Sequence, residues 1–391
     1  MTANDRLRIV VFGYLIRMPI GGLVWHYLQY ILGLADLGHD VYYLEDSCFF
    51  EEDHLHWFQN PETGLMGSDP VPGLRFIDKE LRETPLEGKW ALFQPQHGRW
   101  TGPASERVPE LCLTADLLVN VSAANPVREP FLKIPQRVFL DTDPTFSQLR
   151  MLTSPWNSAL ASRHTSFATF GESIGRGNCS VPTAGLDWKA TRQPIVLDRW
   201  KVTPGPADRS FTSLLAWDSF RCEEYDGVRY GMKSESFQEV IDLPASTSAR
   251  FELSFFDPSV VPHVLTDRGW RIRDGFETAR TPSQYQQYVR GSKAEFSVAK
   301  HGYALSQCGW FSDRSATYLA SGRPVVVQDT GFSQCLPVGE GLLTFRSLGD
   351  ARAAVDEIQS NYRRHCVAAR ELAVEFFDSR KVLTALIEKV S

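Results

Sequence analysis

The stretch LRIVVFGYLIRMPIGGLVWHYLQYILGLADLGHDVYYLE, residues 7 to 45, sets the fold class. Residues 7 to 12 form an apolar run of the kind buried on both faces of a sheet, and residues 24 to 37 carry helical spacing that stops at Gly38. DVYYLE then reads as a second strand. Strand, helix, strand in this order predicts a parallel sheet with a crossover helix.

Working outward, ADLLVNVSA (115 to 123) and QRVFLD (136 to 141) read as later strands of the same sheet. Residues 50 to 110 are rich in Pro, Gly, Trp and charge, and predict loops and short helices at one rim. A second irregular stretch, 175 to 210, contains Pro204-Gly205-Pro206, after which the alternation resumes with FTSLLAW, ARFELSFF, EFSVAK, PVVVQ and GLLTF. Two amphipathic helical segments follow Ser347. The expected architecture is α/β, with two doubly wound Rossmann-like domains facing across a cleft. Residues 1–200 form the first, 201–372 the second, and 373–391 a final helix that packs back on the first.

Composition narrows the function. A chain of 391 residues exceeds one ordinary core. Its net charge of −6 and pI near 5.9 lack the basic surface of a nucleic-acid binder. Seven dispersed cysteines without a CxxC read as reduced thiols. Arg17, Gly21-Gly22 and His26 interrupt the apolar N-terminus, so neither a signal peptide nor a membrane span is expected. The expectation is a cytoplasmic protein with a small ligand, which leaves peripheral membrane contact open.

At the first strand-to-helix junction, a dinucleotide fingerprint would need G-x-G-x-x-G. Here Gly13 is followed by seven residues before Gly21-Gly22. NAD is therefore weakly supported, although Glu45 and Asp46 end the second strand where a ribose-binding acid would sit. The N–H groups of Gly21 and Gly22 could approach a phosphate or sugar, or the pair could serve a tight turn.

SDRSATYLASGRPVVVQDTGF, residues 312 to 332, orders a polar N-cap, a short helix, a stop at Gly322, a buried strand and the loop Asp329-Thr330-Gly331. A helix N-terminus offers unpaired N–H groups to an anion, and Ser312, Asp313, Arg314 and Ser315 stand there, with donors on Ser312, Ser315 and Arg314. Lys300, ending EFSVAK, lies where carboxyl-end loops line a ligand crevice, or is a surface lysine.

These segments together resemble glycosyltransferases of the GT-B fold, particularly family 4. In that family a Gly-Gly pair precedes the first helix, Gly-His opens the second strand, and a donor-site helix ends in Gly-x-Pro before a Val-rich strand. Gly21-Gly22, Gly38-His39 and Gly322-Arg323-Pro324 match. The resemblance implies a hexosyltransferase using a nucleoside-diphosphate sugar as donor substrate, with no cofactor or metal, and a small-molecule or glycan acceptor. It places Trp217, Lys233, Lys300 and residues 312–315 on the nucleotide diphosphate, Asp329, Thr330 and Gly331 on the donor sugar, and the acceptor under Gly21-Gly22.

Two departures follow. The paired glutamates of family 4 align with Gly309 and Thr317, and the catalytic histidine of the inverting family 1 aligns with Leu23. A base must then come from elsewhere. Asp141 and Asp143 in FLDTDP are the first choices, unless they serve an ordinary turn, and His26 is the third, unless it is only packed at the cleft. Asp53, His54 and His56 sit on a loop without further spaced ligands, so no metal is expected. A nucleotide-sugar epimerase, an NAD-dependent oxidoreductase and a non-catalytic sugar-nucleotide binder remain the alternatives.

Overall fold

The computed structural model describes residues 6–47, 58–206, 208–219, 221–256 and 263–390; the Asp53, His54 and His56 group lies outside them. The first sheet holds eight strands in the order β10-β9-β8-β7-β1-β2-β5-β6. These are β1 (Arg8–Phe12), β2 (Asp40–Asp46), β5 (Trp90–Gln94), β6 (Arg99–Thr101), β7 (Leu117–Val121), β8 (Gln136–Asp141), β9 (Ser166–Thr169) and β10 (Trp188–Ala190). Every neighbouring pair is parallel except β5 with β6. The pair β3 (Phe58–Gln59) and β4 (Met66–Gly67) forms a separate ribbon.

The apolar run around β1 is explained by burial on both faces: Ile9 and Val11 enter one core, Val10 and Phe12 the other. The 50 to 110 region is more regular than its composition suggested. WALFQ becomes β5 beside β2, and the edge strand β6 returns antiparallel to it. Strands β9 and β10 likewise extend the opposite edge beyond β8.

The second sheet is wholly parallel, in the order β15-β14-β11-β16-β17-β18. It is built from β11 (Phe211–Leu215), β14 (Phe251–Phe255), β15 (Arg271–Asp274), β16 (Ala294–Ser297), β17 (Val325–Gln328) and β18 (Leu342–Phe345), with β12 (Glu223–Tyr225) and β13 (Val228–Tyr230) forming a hairpin. This is the doubly wound order 3-2-1-4-5-6, whose direction reverses between β11 and β16. The first sheet reverses between β1 and β7. The loops after β1, β7, β11 and β16 therefore define two crevices.

The helix Gly21–Asp36 joins the halves. Its first N–H, on Gly21, donates to the Arg280 carbonyl at 3.1 Å, and Trp25 Nε1 donates to the Pro282 carbonyl at 3.0 Å. An N-terminal donor left over by the helix is thus satisfied by the other half of the chain. The segment after Ser347 forms three helices rather than two, because the first stretch breaks at Asn361 into Leu348–Ser360 and Tyr362–Phe376. The last helix, Ser379–Val390, packs against Gly33 of the first, where a Cβ would come within 2.7 Å of Leu383. Among the described residues, no helix is long and apolar enough to cross a membrane.

Candidate active site

The two crevices face each other across a cavity of about 350 Å³. From the first sheet it takes Tyr14 after β1, Ser122 and Ala123 after β7, and Thr142 and Asp143 after β8; from the second it takes Ser219, Lys300, Tyr303 and Asp313. A rival concavity around Val127 and Arg163 lies within the first half alone and shares only Trp156 and Leu160 with the interdomain cavity.

Asp143 and Lys300, chosen as base and diphosphate cation, meet across this cavity with Nζ to Oδ1 at 2.6 Å. Tyr303 donates its hydroxyl to the same oxygen, and Arg150 lies 3.6 Å from the other. Burial by itself would raise the Asp143 pKa, but Lys300 and Arg150 outweigh it and hold the carboxyl below its ordinary value. A carboxylate so held is a weak proton acceptor. Asp143 is thus engaged by Lys300, a pairing that competes with its use as the base.

The assignment of Asp141 is corrected. It is 1% exposed and accepts hydrogen bonds from the Asp143 N–H at 2.9 Å, Gln148 at 2.8 Å and Thr169 at 2.7 Å. Its lone pairs are spent on the turn from β8 into the helix Phe146–Thr153, the structural use that Asp-x-Asp-Pro permits.

His26 stands differently. Its Nε2 lies 3.3 Å from Ser122 Oγ, which in turn accepts from Thr142 Oγ1 at 2.8 Å. Its Nδ1 is buried without a hydrogen bond and faces the Asp313 carboxylate at 3.8 Å. Burial lowers the imidazole pKa, Asp313 and Gln193 working against it. Ser122 occupies left-handed backbone at φ 60°, which turns the strand end toward the cavity. A histidine on the first helix is thereby linked to the carboxylate that opens the helix Asp313–Ala320.

On the second half, Arg314 turns away from the cavity. Its guanidinium reaches Glu295 at 2.6 Å, the Leu214 carbonyl at 2.5 Å and Ser297 at 2.6 Å, tying the end of β11 to β16. Glu295 is fully buried, so this pair is internal, and Arg314 holds the sheet rather than a ligand. Ser312 Oγ accepts the Arg314 N–H at 3.2 Å and donates to Asp313 Oδ1 at 3.4 Å, and Ser315 is fully buried, so neither hydroxyl is presented to an anion.

Lys233, on the short helix Lys233–Phe237, is the cation that remains. Among the described residues its ammonium has no hydrogen bond or ion pair. Burial, then the nearby charges of Arg314 and Lys300, push its pKa down to about 7, with Asp313 and Glu295 opposing. A cation crowded by cations is a site prepared for an anion.

Three further expectations change. Trp217 is 9% exposed and packs against Phe237 and Phe255 at centroid distances of 5.3 and 6.1 Å, so it belongs to the core under the second sheet. Asp329 is held by Arg346 at 2.8 Å, Ser333 and the Gly331 N–H, and lines a concavity beside Arg346 and Asp350, while Thr330 is fully buried. Gly21 and Gly22 contact the second half rather than a ligand: a Cβ on Gly21 would meet the Thr281 and Ala279 carbonyls at 2.4 and 2.5 Å, and one on Gly22 the Tyr285 ring at 3.0 Å. The glycines permit close approach of two backbones.

The missing glutamates have a physical reason as well. A Cβ on Gly309, at φ 84°, would fall 2.7 Å from the N and Oγ of Ser173. Thr317 is bonded to the Tyr285 hydroxyl at 2.9 Å on the neighbouring helix. Glu45, the ribose acid of the NAD alternative, is fully buried and accepts from the Ile16 and Arg17 N–H groups, Tyr43 and the Arg17 guanidinium, so it fixes the loop after β1. Sequence reading missed Tyr303, Arg150, Ser122 and Thr142. Tyr303 had a signal, since it falls one helical turn after Lys300.

No family model and no curated protein matches the chain. Among solved structures, it is similar to an alpha-glucosyltransferase in complex with UDP and a 13-mer DNA containing a HMU base, with TM-score 0.58 and 11% identity over 99% of this chain and 100% of that one. The chain has the GT-B fold. Anabaena HepE in complex with UDP-glucose gives TM-score 0.56 at 13% identity over 98% and 99% of the two chains. AviGT4, a glycosyltransferase involved in Avilamycin A biosynthesis, gives 0.50 at 11% over 98% and 97%. At these identities the likeness is one of fold.

Proposed function

We propose that the protein is a hexosyltransferase of the family 4 type with a divergent donor segment. In this reading it moves a sugar from a nucleoside-diphosphate donor, held by the second half (residues 201–372), to a hydroxyl of an acceptor held by the first half (1–200). The observation that carries the reading is the Lys233 ammonium, which among the described residues has no hydrogen bond or ion pair and stands near Lys300, Arg314 and Asp313. UDP and UDP-glucose in the solved structures of like fold support the donor class.

As the glycosidic bond breaks, negative charge grows on the leaving diphosphate. Lys233 supplies the compensating positive charge, aided by Lys300, which Asp143 and Tyr303 hold in position. No metal enters this scheme. Asp313 lies in the cavity, where its carboxylate takes the proton of the acceptor hydroxyl. His26 positions Asp313 from one ring nitrogen and Ser122 from the other.

The test is turnover. Release of nucleoside diphosphate from a panel of nucleotide sugars, with acceptor hydroxyl compounds present and divalent ions chelated, should be seen for wild type and fall about a hundredfold in Asp313→Asn. Turnover without transfer to an acceptor, giving a C2-inverted sugar, would favour the epimerase. Binding without turnover would favour the non-catalytic sugar-nucleotide binder.

A further inference from the structure

The opposite end of the second sheet holds a cavity of about 310 Å³, lined by Arg209, Arg250, Arg271 and Arg273 together with Glu252 and Tyr288. It lies at the amino ends of β11, β14 and β15, whereas Lys300 follows the carboxyl end of β16 and Lys233 follows the β12–β13 hairpin. Parallel register aligns Thr212, Glu252 and Arg271 in one row across three strands, and Ser254 with Arg273 in the next. Arg250 and Arg209 reach in from the turns just before β14 and β11. Four exposed arginines thus line one concavity from four chain positions.

Among the described residues, none of the four makes a side-chain hydrogen bond or ion pair. Glu252 is the one carboxylate in the lining, and it accepts instead from Tyr288 at 3.1 Å. The chain as a whole has more acids than bases, 47 against 41, so arginines with no acid partner run against its composition. Arg250 also repels the nearby Lys293, whose pKa is lowered by burial and by that charge. Grouping like charges costs free energy that a bound anion would recover.

We propose that this cavity is a second ligand site, which takes a free, phosphorylated small molecule with two or more negative charges. Guanidinium groups match phosphate oxygens in a planar fork and keep their charge at every physiological pH. The concavity is the size of a compact phosphorylated metabolite. An anionic membrane fits less well, because none of the exposed large apolar side chains lines the cavity to insert between lipids. Single-stranded nucleic acid fits less well too, since the single aromatic in the lining, Tyr288, is tied to Glu252 and offers no stacking platform. The site is independent of the donor assignment.

The experiment is calorimetric titration of the full chain with inorganic tripolyphosphate, comparing wild type, Lys233→Ala, and the triple variant Arg250→Gln, Arg271→Gln, Arg273→Gln. Lys233→Ala should retain a saturable site, and the triple variant should weaken that site by at least about tenfold. Arg271→Gln alone, which keeps the surrounding strand, should weaken it measurably if the triple variant unfolds. Unchanged binding in the arginine variants would overturn the proposal, as would absence of saturable binding in wild type. Capture of the protein by anionic phosphatidylserine vesicles or by single-stranded DNA, without competition by tripolyphosphate, would also overturn it.

Discussion

Lys300 Nζ and Asp143 Oδ1 form an ion pair of 2.6 Å between the two halves of the chain, with the Lys300 side chain 9% exposed. Removing the acid takes a carboxylate from a buried ammonium, and breaking a buried pair in this way typically destabilises a fold by about 3 kcal/mol or more. Asp143→Ala should show this loss in urea unfolding at neutral pH. The sign with pH follows from the depressed carboxyl. Its stabilisation is present above the unfolded value of 3.8 and is lost as pH falls through the lower folded value. Asp143→Asn should therefore flatten the acid limb of the stability profile, and an unchanged limb would contradict the pairing.

Arg314 and Glu295 make the corresponding internal pair within the second sheet. Arg314→Ala leaves the Glu295 carboxylate buried with no counter-ion, and the expected cost is about 3 to 5 kcal/mol. Arg314→Lys restores charge but not the three-way fork to Glu295, Ser297 and the Leu214 carbonyl, so it should recover only part. A stable Arg314→Ala protein with specifically lost nucleotide affinity would return Arg314 to the ligand.

Lys233 should behave in the opposite way. Its pKa of about 7 lies below the unfolded 10.5, so the unfolded chain binds more protons between these values and stability rises with pH across that window. Replacing it by Met should raise the unfolding free energy by about 1 kcal/mol or more near about pH 6, where the wild-type charge is fully present. The same charge should bind a diphosphate, with proton uptake near neutral pH as the bound anion raises the ammonium pKa. Proton release on binding would be inconsistent with this.

Gly21 sits where the Thr281 and Ala279 carbonyls leave no room for a methyl group. Gly21→Ala should force the two halves apart at this contact, lowering stability by about 1 to 3 kcal/mol. Small-angle scattering of the variant should show a more open particle, and an unaltered profile with unaltered stability would show the contact to be dispensable.

The order of strands and helices was readable because parallel strands buried on both faces are continuous apolar runs and their helices end at glycine. The outer strands β5, β6, β9 and β10, of which β6 and β10 are the edges, were not, being short or mixed in composition and defined by partners distant in sequence. At the site, Lys300 and Asp143 were named from their places at strand ends, and Lys233 and His26 only through the family resemblance. Their roles could not be read, because a role depends on what each side chain meets across the two halves. Gly21 and Arg314 show this most clearly: each matches a ligand-binding pattern, and each contacts the protein itself.

The most direct test of the account is calorimetric titration of wild-type and Lys233→Ala protein with UDP, GDP, TDP and ADP. The account predicts that one of these binds wild type and that the variant loses about 1.5 to 3 kcal/mol of that affinity without any loss of thermal stability. Equal affinity in the two proteins, or no binding of any nucleoside diphosphate to wild type, would contradict it.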